Sequence, residues 1–99
     1  MFDNLMSQMQ EQANEMKKKL DTMTVEAEAE SGLVKVTANG NKKILSIEIS
    51  PDILEDKEAV EDLVIVAVNR ALEKAEELAS KETGDLAQGM LPDLGNLFG

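Results

Sequence analysis

Between Met9 and Met23 apolar residues fall at Met9, Ala13, Met16, Leu20 and Met23, with gaps of four, three, four and three. This spacing is the seam of an amphipathic helix. Leu5 and Met6 extend the seam toward the start of the chain. The other positions are mostly Gln, Asn, Glu and Lys, and no Gly or Pro interrupts, so a helix is predicted from about residue 3 to residue 22. From Thr24 the period drops to two. Val25, Ala27 and Ala29 alternate with Glu26, Glu28 and Glu30, then Val34, Val36 and Ala38 with Lys35 and Thr37, and finally Leu45, Ile47 and Ile49 share one face. These are three half-buried strands. Ser31-Gly32 and Asn39-Gly40 supply the turns between them, and Pro51 ends the third because it cannot donate a ladder hydrogen bond.

Counting across the first turn fixes the register. A two-residue turn at Ser31-Gly32 sets Ala29 opposite Val34 and Ala27 opposite Val36, and it also sets Glu28 opposite Lys35. Apolar and charged pairs therefore agree. For the second hairpin, loops of two or four residues both place Leu45 on the face of Val34 and Val36, so the face is determined and the loop length is open.

Beyond Pro51, Glu55, Asp56 and Glu58 mark a helix start, with Asp56 the expected N-cap. Val60, Leu63, Val64, Ala67, Ala71, Ala75 and Leu78 recur at helical spacing and predict a second helix over residues 57–81. The alanines permit close approach of a partner, while Val66, Val68 and Leu72 widen the apolar stripe. The expected organisation is one α+β domain, residues 1–82, consisting of a long N-terminal helix, a three-stranded antiparallel meander and a long C-terminal helix. Residues 83–99, with Gly84, Gly89, Pro92, Gly95 and Gly99, are expected to form a flexible Gly/Leu/Pro tail.

Strands of about six residues span ~20 Å, whereas each helix spans ~30 Å or more. The helices must therefore overhang the sheet, and an overhanging apolar seam calls for a second copy of the chain. A twofold homodimer is the simplest closed arrangement. The residues expected to form the core or the dimer contact are Met16, Leu20, Leu45, Ile47, Ile49, Leu63, Val64, Ala67 and Ala71.

Composition narrows the chemistry. The 99 residues contain no His and no Cys, which removes the commonest general base, the thiol nucleophile and the usual soft-metal ligands. No catalytic site, metal, cofactor or small-molecule substrate is expected. No segment has a transmembrane pattern or a secretory leader, which points to the cytoplasm and away from a membrane partner. Twenty acidic residues against ten basic give a net charge of −10. Any grip on a polyanion must then be local. Lys17, Lys18 and Lys19 are the one run of positive charge and the best anion-contact candidate, although cations there also complement the helix dipole. Arg70, Lys74 and Lys81 share one side of the second helix, and Lys42 and Lys43 flank the second turn as ordinary hairpin decoration.

Several segments together resemble the YbaB/EbfC family of bacterial nucleoid-associated proteins: GLVKVTANG (32–40), IEISP (47–51), DLV (62–64), AVNRALEKA (67–75) and the Met/Gln-rich MSQMQ (6–10). The resemblance spans nearly the whole chain and rests on the order of the segments rather than on one motif. It implies a cytoplasmic, nucleoid-associated homodimer shaped like tweezers that binds double-stranded DNA and alters its conformation. By the same resemblance the first and last helices face DNA, which makes Lys17, Lys18, Lys19, Arg70 and Lys74 the expected contacts. Asn69 is expected to be structural, bonding backbone near Pro51. The competing reading is an acidic dimeric protein-interaction module that meets DNA only indirectly.

Overall fold

The computed structural model describes the backbone of residues 2–90 and the side chains of residues 3–86. Helix α1 (Phe2–Thr22) leads into strands β1 (Thr24–Ala29), β2 (Val34–Asn39) and β3 (Ile44–Ile49). A short 3₁₀ turn (Pro51–Ile53) precedes helix α2 (Lys57–Met90). The strands form one antiparallel sheet in the order β1-β2-β3, so the chain has the expected α+β architecture.

The first hairpin has the register that charge and hydropathy require: Ala29 faces Val34, Glu28 faces Lys35 and Ala27 faces Val36. Glu30, Ser31 and Gly32 all take positive φ, 49°, 55° and 93°, in a four-residue connection closed by the Leu33 amide on the Glu30 carbonyl at 3.3 Å, longer than the expected two-residue turn but with the same register. In the second hairpin Val36 faces Ile47 and Val34 faces Ile49, but a bulge between Thr37 and Ala38 pairs Ala38 with Ile44. The extra residue is Leu45. Ile44 therefore packs against the core, and Leu45, expected among the core or dimer residues, is 47% exposed.

Helix α2 lies across β1 and β2 and barely reaches β3. Ala67, Ala71 and Ala75 are fully buried against the sheet, and Val34 and Val36 are the largest fully buried side chains. A core this thin forms because alanines at helical spacing bring the helix backbone close to the strands. Leu63 and Val64 are half-buried beside it, as is Ile49. Ile47 belongs to the same face of the sheet but is 43% exposed, since none of the described residues covers that side of β3.

Asp56 caps α2 as expected, its Oδ1 accepting from the Ala59 amide at 3.2 Å. The helix does not stop at Lys81. It continues through Gly84 to Met90, because a single exposed glycine weakens a helix without breaking it. Leu86 then carries the apolar stripe onward beside Met16. The rest of the expected tail, residues 91–99, lies outside the described residues. With 34 residues, α2 is ~51 Å long, and it forms with α1 an arm projecting well beyond the sheet. The longest dimension of the protomer is 62 Å.

Candidate nucleic-acid interface

The root of this arm is built by the β2–β3 loop. The Gly40 amide donates to the Leu20 carbonyl at 2.9 Å and to the Met23 carbonyl at 3.0 Å, and the Asn41 side-chain amide donates to the Lys17 carbonyl at 2.8 Å. Thr22 Oγ1 donates to the Lys19 carbonyl at 2.8 Å. Carbonyls in the last turn of a helix have no intrahelical donors, so the loop acts as the C-cap of α1. The loop is itself held by Asn39, 3% exposed, whose Oδ1 accepts from the Asn41 and Lys43 amides at 2.9 and 3.0 Å.

This cap has an electrostatic result. Lys42 and Lys43 are carried on a loop bonded directly to the turn that bears Lys17 and Lys18, with the carboxylate of Asp21 at the same junction, accepting from the Asn41 side-chain amide. All four lysines are exposed. Among the described residues Lys17, Lys18 and Lys43 take part in no ion pair, and Lys42 has a loose one with Glu76 at 3.8 Å. Positive charge at this helix end is also favoured by the α1 dipole.

The remaining expected contacts are placed differently. Lys19 turns toward α2 and pairs with Glu82 at 2.7 Å, tying the two helices of the arm together. Met16 and Leu20 line the inner side of the same junction, half-buried and buried respectively. Arg70 and Lys74 lie along the sheet, where Arg70 Nη1 donates to the Glu28 carbonyl at 2.9 Å and Lys74 Nζ to the Glu26 carbonyl at 2.8 Å. The match is geometric. Four residues of helix rise ~6 Å and two residues of strand ~6.6 Å, so the two side chains meet alternate carbonyls of β1. Both are occupied on the backbone of an edge strand, whose free groups are thereby covered.

Asn69 departs from its expected role. It is exposed and takes part in none of the hydrogen bonds found among the described residues, and the Pro51 segment is held instead by Ser50, whose amide donates to the Leu33 carbonyl at 2.8 Å. The structural amides are Asn39 and Asn41. Their signal in the sequence was the Asn-Gly-Asn run, which local pattern explains as a turn and which only the meeting with α1 reveals as a cap.

The chain is thus an α-β-β-β-α domain with a two-helix arm and lysines near the root of that arm. The chain matches the YbaB/EbfC DNA-binding family over residues 2–90, and it belongs to that family. It is 46% identical over 93 residues to a nucleoid-associated protein of Chlorobium phaeobacteroides, covering 91% of this chain and 84% of that protein. A nucleoid-associated protein of Neisseria meningitidis is 43% identical over 101 residues, covering 95% of this chain and 91% of that protein. The crystal structure of an uncharacterised Helicobacter pylori protein superposes with a TM-score of 0.75 at 26% identity, covering 91% of this chain and 92% of that one.

Proposed function

We propose that the protein is a cytoplasmic, nucleoid-associated homodimer that binds double-stranded DNA and alters its conformation, with roles in nucleoid organisation and gene regulation. The observation that carries this reading is the bond between Asn41 and the Lys17 carbonyl, which joins the loop bearing Lys42 and Lys43 to the helix turn bearing Lys17 and Lys18 on a chain of net charge −10. Phosphate contacts of this kind position a protein on the duplex without reading its sequence.

Pairing brings two copies of this junction to one DNA molecule. The surface that supports pairing is the uncovered side of β3, where Leu45 and Ile47 are exposed, together with the exposed apolar residues Leu54, Ile65 and Val66. A dimer neutralising about four to six phosphates gives a log-log salt slope of roughly −4 to −5.

Fluorescence anisotropy of nuclease-treated protein with duplex DNA, titrated against salt, tests the reading. The Lys17→Gln/Lys18→Gln/Lys43→Gln variant should bind more weakly and lose roughly 0.9 of slope for each phosphate contact removed. An unchanged affinity and slope in that variant, or no binding by the parent at tens of micromolar in low salt, defeats it. If DNA association is instead indirect, nuclease abolishes co-purification with DNA while partner proteins remain bound.

A further inference from the structure

Asn39 is followed by Gly40, the one Asn-Gly step in the sequence. At such a step the glycine amide nitrogen attacks the asparagine Cγ with least hindrance, because glycine has no Cβ. A new N–Cγ bond closes a succinimide while the side-chain nitrogen leaves as ammonia, and water then opens the ring to aspartate or isoaspartate. Glycine is required here for another reason, since a Cβ on Gly40 would crowd Leu20. The residue that lets α1 seat on the loop is therefore also the one that leaves Asn39 open to attack.

The contacts around this step fall into two sets. Inside the β2–β3 hairpin, the Asn41 and Lys43 amides donate to Asn39 Oδ1 at 2.9 and 3.0 Å, where negative charge develops as Cγ is attacked. Outside it, the Gly40 amide is held on the Leu20 and Met23 carbonyls, and Asn39 Nδ2 lies 3.5 Å from Asp21 Oδ1. The first set assists the reaction and stays with the hairpin. The second ties down the attacking nitrogen, and it is lost if the end of α1 lifts. Beyond this cap α1 is fastened through buried Leu20 and the Lys19–Glu82 pair, while Leu5, Met6 and Met9 are exposed, so its detachment needs far less than global unfolding. We propose that Asn39 is a deamidation site gated by α1: closed while the last turn of α1 sits on Gly40, and open when that turn leaves an otherwise folded sheet. The change is one-way. Aspartate sets an oxygen where Nδ2 faces Asp21, and isoaspartate adds a methylene to the main chain, so either product weakens the seat of α1.

Peptide mass spectrometry of the full chain, incubated at neutral pH, follows deamidation at Asn39, with each rate divided by that of the same chain in urea. The folded parent should react at least about tenfold more slowly than in urea. Leu20→Ala empties the seat and should raise the normalised rate about tenfold over the parent. Asn41→Ala removes only side-chain bonds to α1, leaves both hairpin amides in place, and should raise it about threefold. Val34→Ala, a core change at the opposite end of β2, should raise it less than about twofold. Equal rates in the folded and urea-unfolded parent overturn the proposal. So does acceleration by Val34→Ala as great as that by Asn41→Ala, because the site would then open only with the whole domain.

Discussion

A Cβ added to Gly40 would stand 2.7 Å from Leu20 Cδ2, 3.0 Å from Leu20 Cβ and 3.1 Å from the Leu20 carbonyl oxygen. The leucine tip can swing aside, but its Cβ and carbonyl are fixed by the helix that Gly40 caps. Gly40→Ala must therefore separate the loop from α1 and should cost about 1–3 kcal/mol, as overpacking does. Gly84 is the counterpart, exposed in α2 with nothing within 4 Å of an added Cβ. Gly84→Ala should stabilise by up to about 1 kcal/mol. Urea unfolding of the two variants should give midpoints displaced in opposite directions.

Asn39 makes the loop rigid by accepting two amides with one oxygen. Asn39→Ala leaves those amides without that acceptor and should lower stability by about 1–3 kcal/mol. If the same loop presents the lysine cluster, the variant also weakens DNA binding at temperatures where it remains folded, although no cation has been removed. Anisotropy and thermal unfolding on one sample separate the two effects.

Arg70 and Lys74 give a contrasting expectation. Their positive ends are engaged by the β1 carbonyls, so Arg70→Ala/Lys74→Ala should affect DNA affinity less than the three glutamine changes at Lys17, Lys18 and Lys43. Its main effect should be a bared strand edge and growth of larger species, detectable by sedimentation velocity. Unchanged sedimentation together with a large loss of DNA affinity would return these residues to the DNA surface.

Ile47 tests the pairing surface. It shares a face with the buried Val36 yet is 43% exposed, so Ile47→Asp costs the protomer little. If β3 is the dimer contact, the dissociation constant rises by at least about tenfold, which light scattering across a dilution series would measure.

The elements and the first register were legible because each rests on local periodicity: the four-three seam of α1, the alternation around Ser31-Gly32, and the alanines of α2. The bulge was not legible, since Ile44 and Leu45 are equally apolar and a regular hairpin with a loop of either two or four residues turns Leu45 inward; the extra residue between the partners of Thr37 and Ala38 turns Ile44 inward instead. The end of α2 was also missed, because Gly84 reads as a breaker until Leu86 is seen to continue the stripe beside Met16. The lysine cluster was half visible. Lys17 and Lys18 are adjacent in sequence, but their approach to Lys42 and Lys43 depends on a long-range bond from Asn41 to the helix end. Arg70 and Lys74 show the opposite case, cations on one helix side whose partners are carbonyls, invisible to any pattern of side chains.

The two margins of the sheet are unequal. One is closed by an arginine and a lysine of the same chain, whereas the other ends at β3 with apolar side chains uncovered. If pairing runs through β3, each chain offers that border once, and two copies occupy each other's. The bonds from Arg70 and Lys74 would then leave the opposite margin less open to the addition of a further strand.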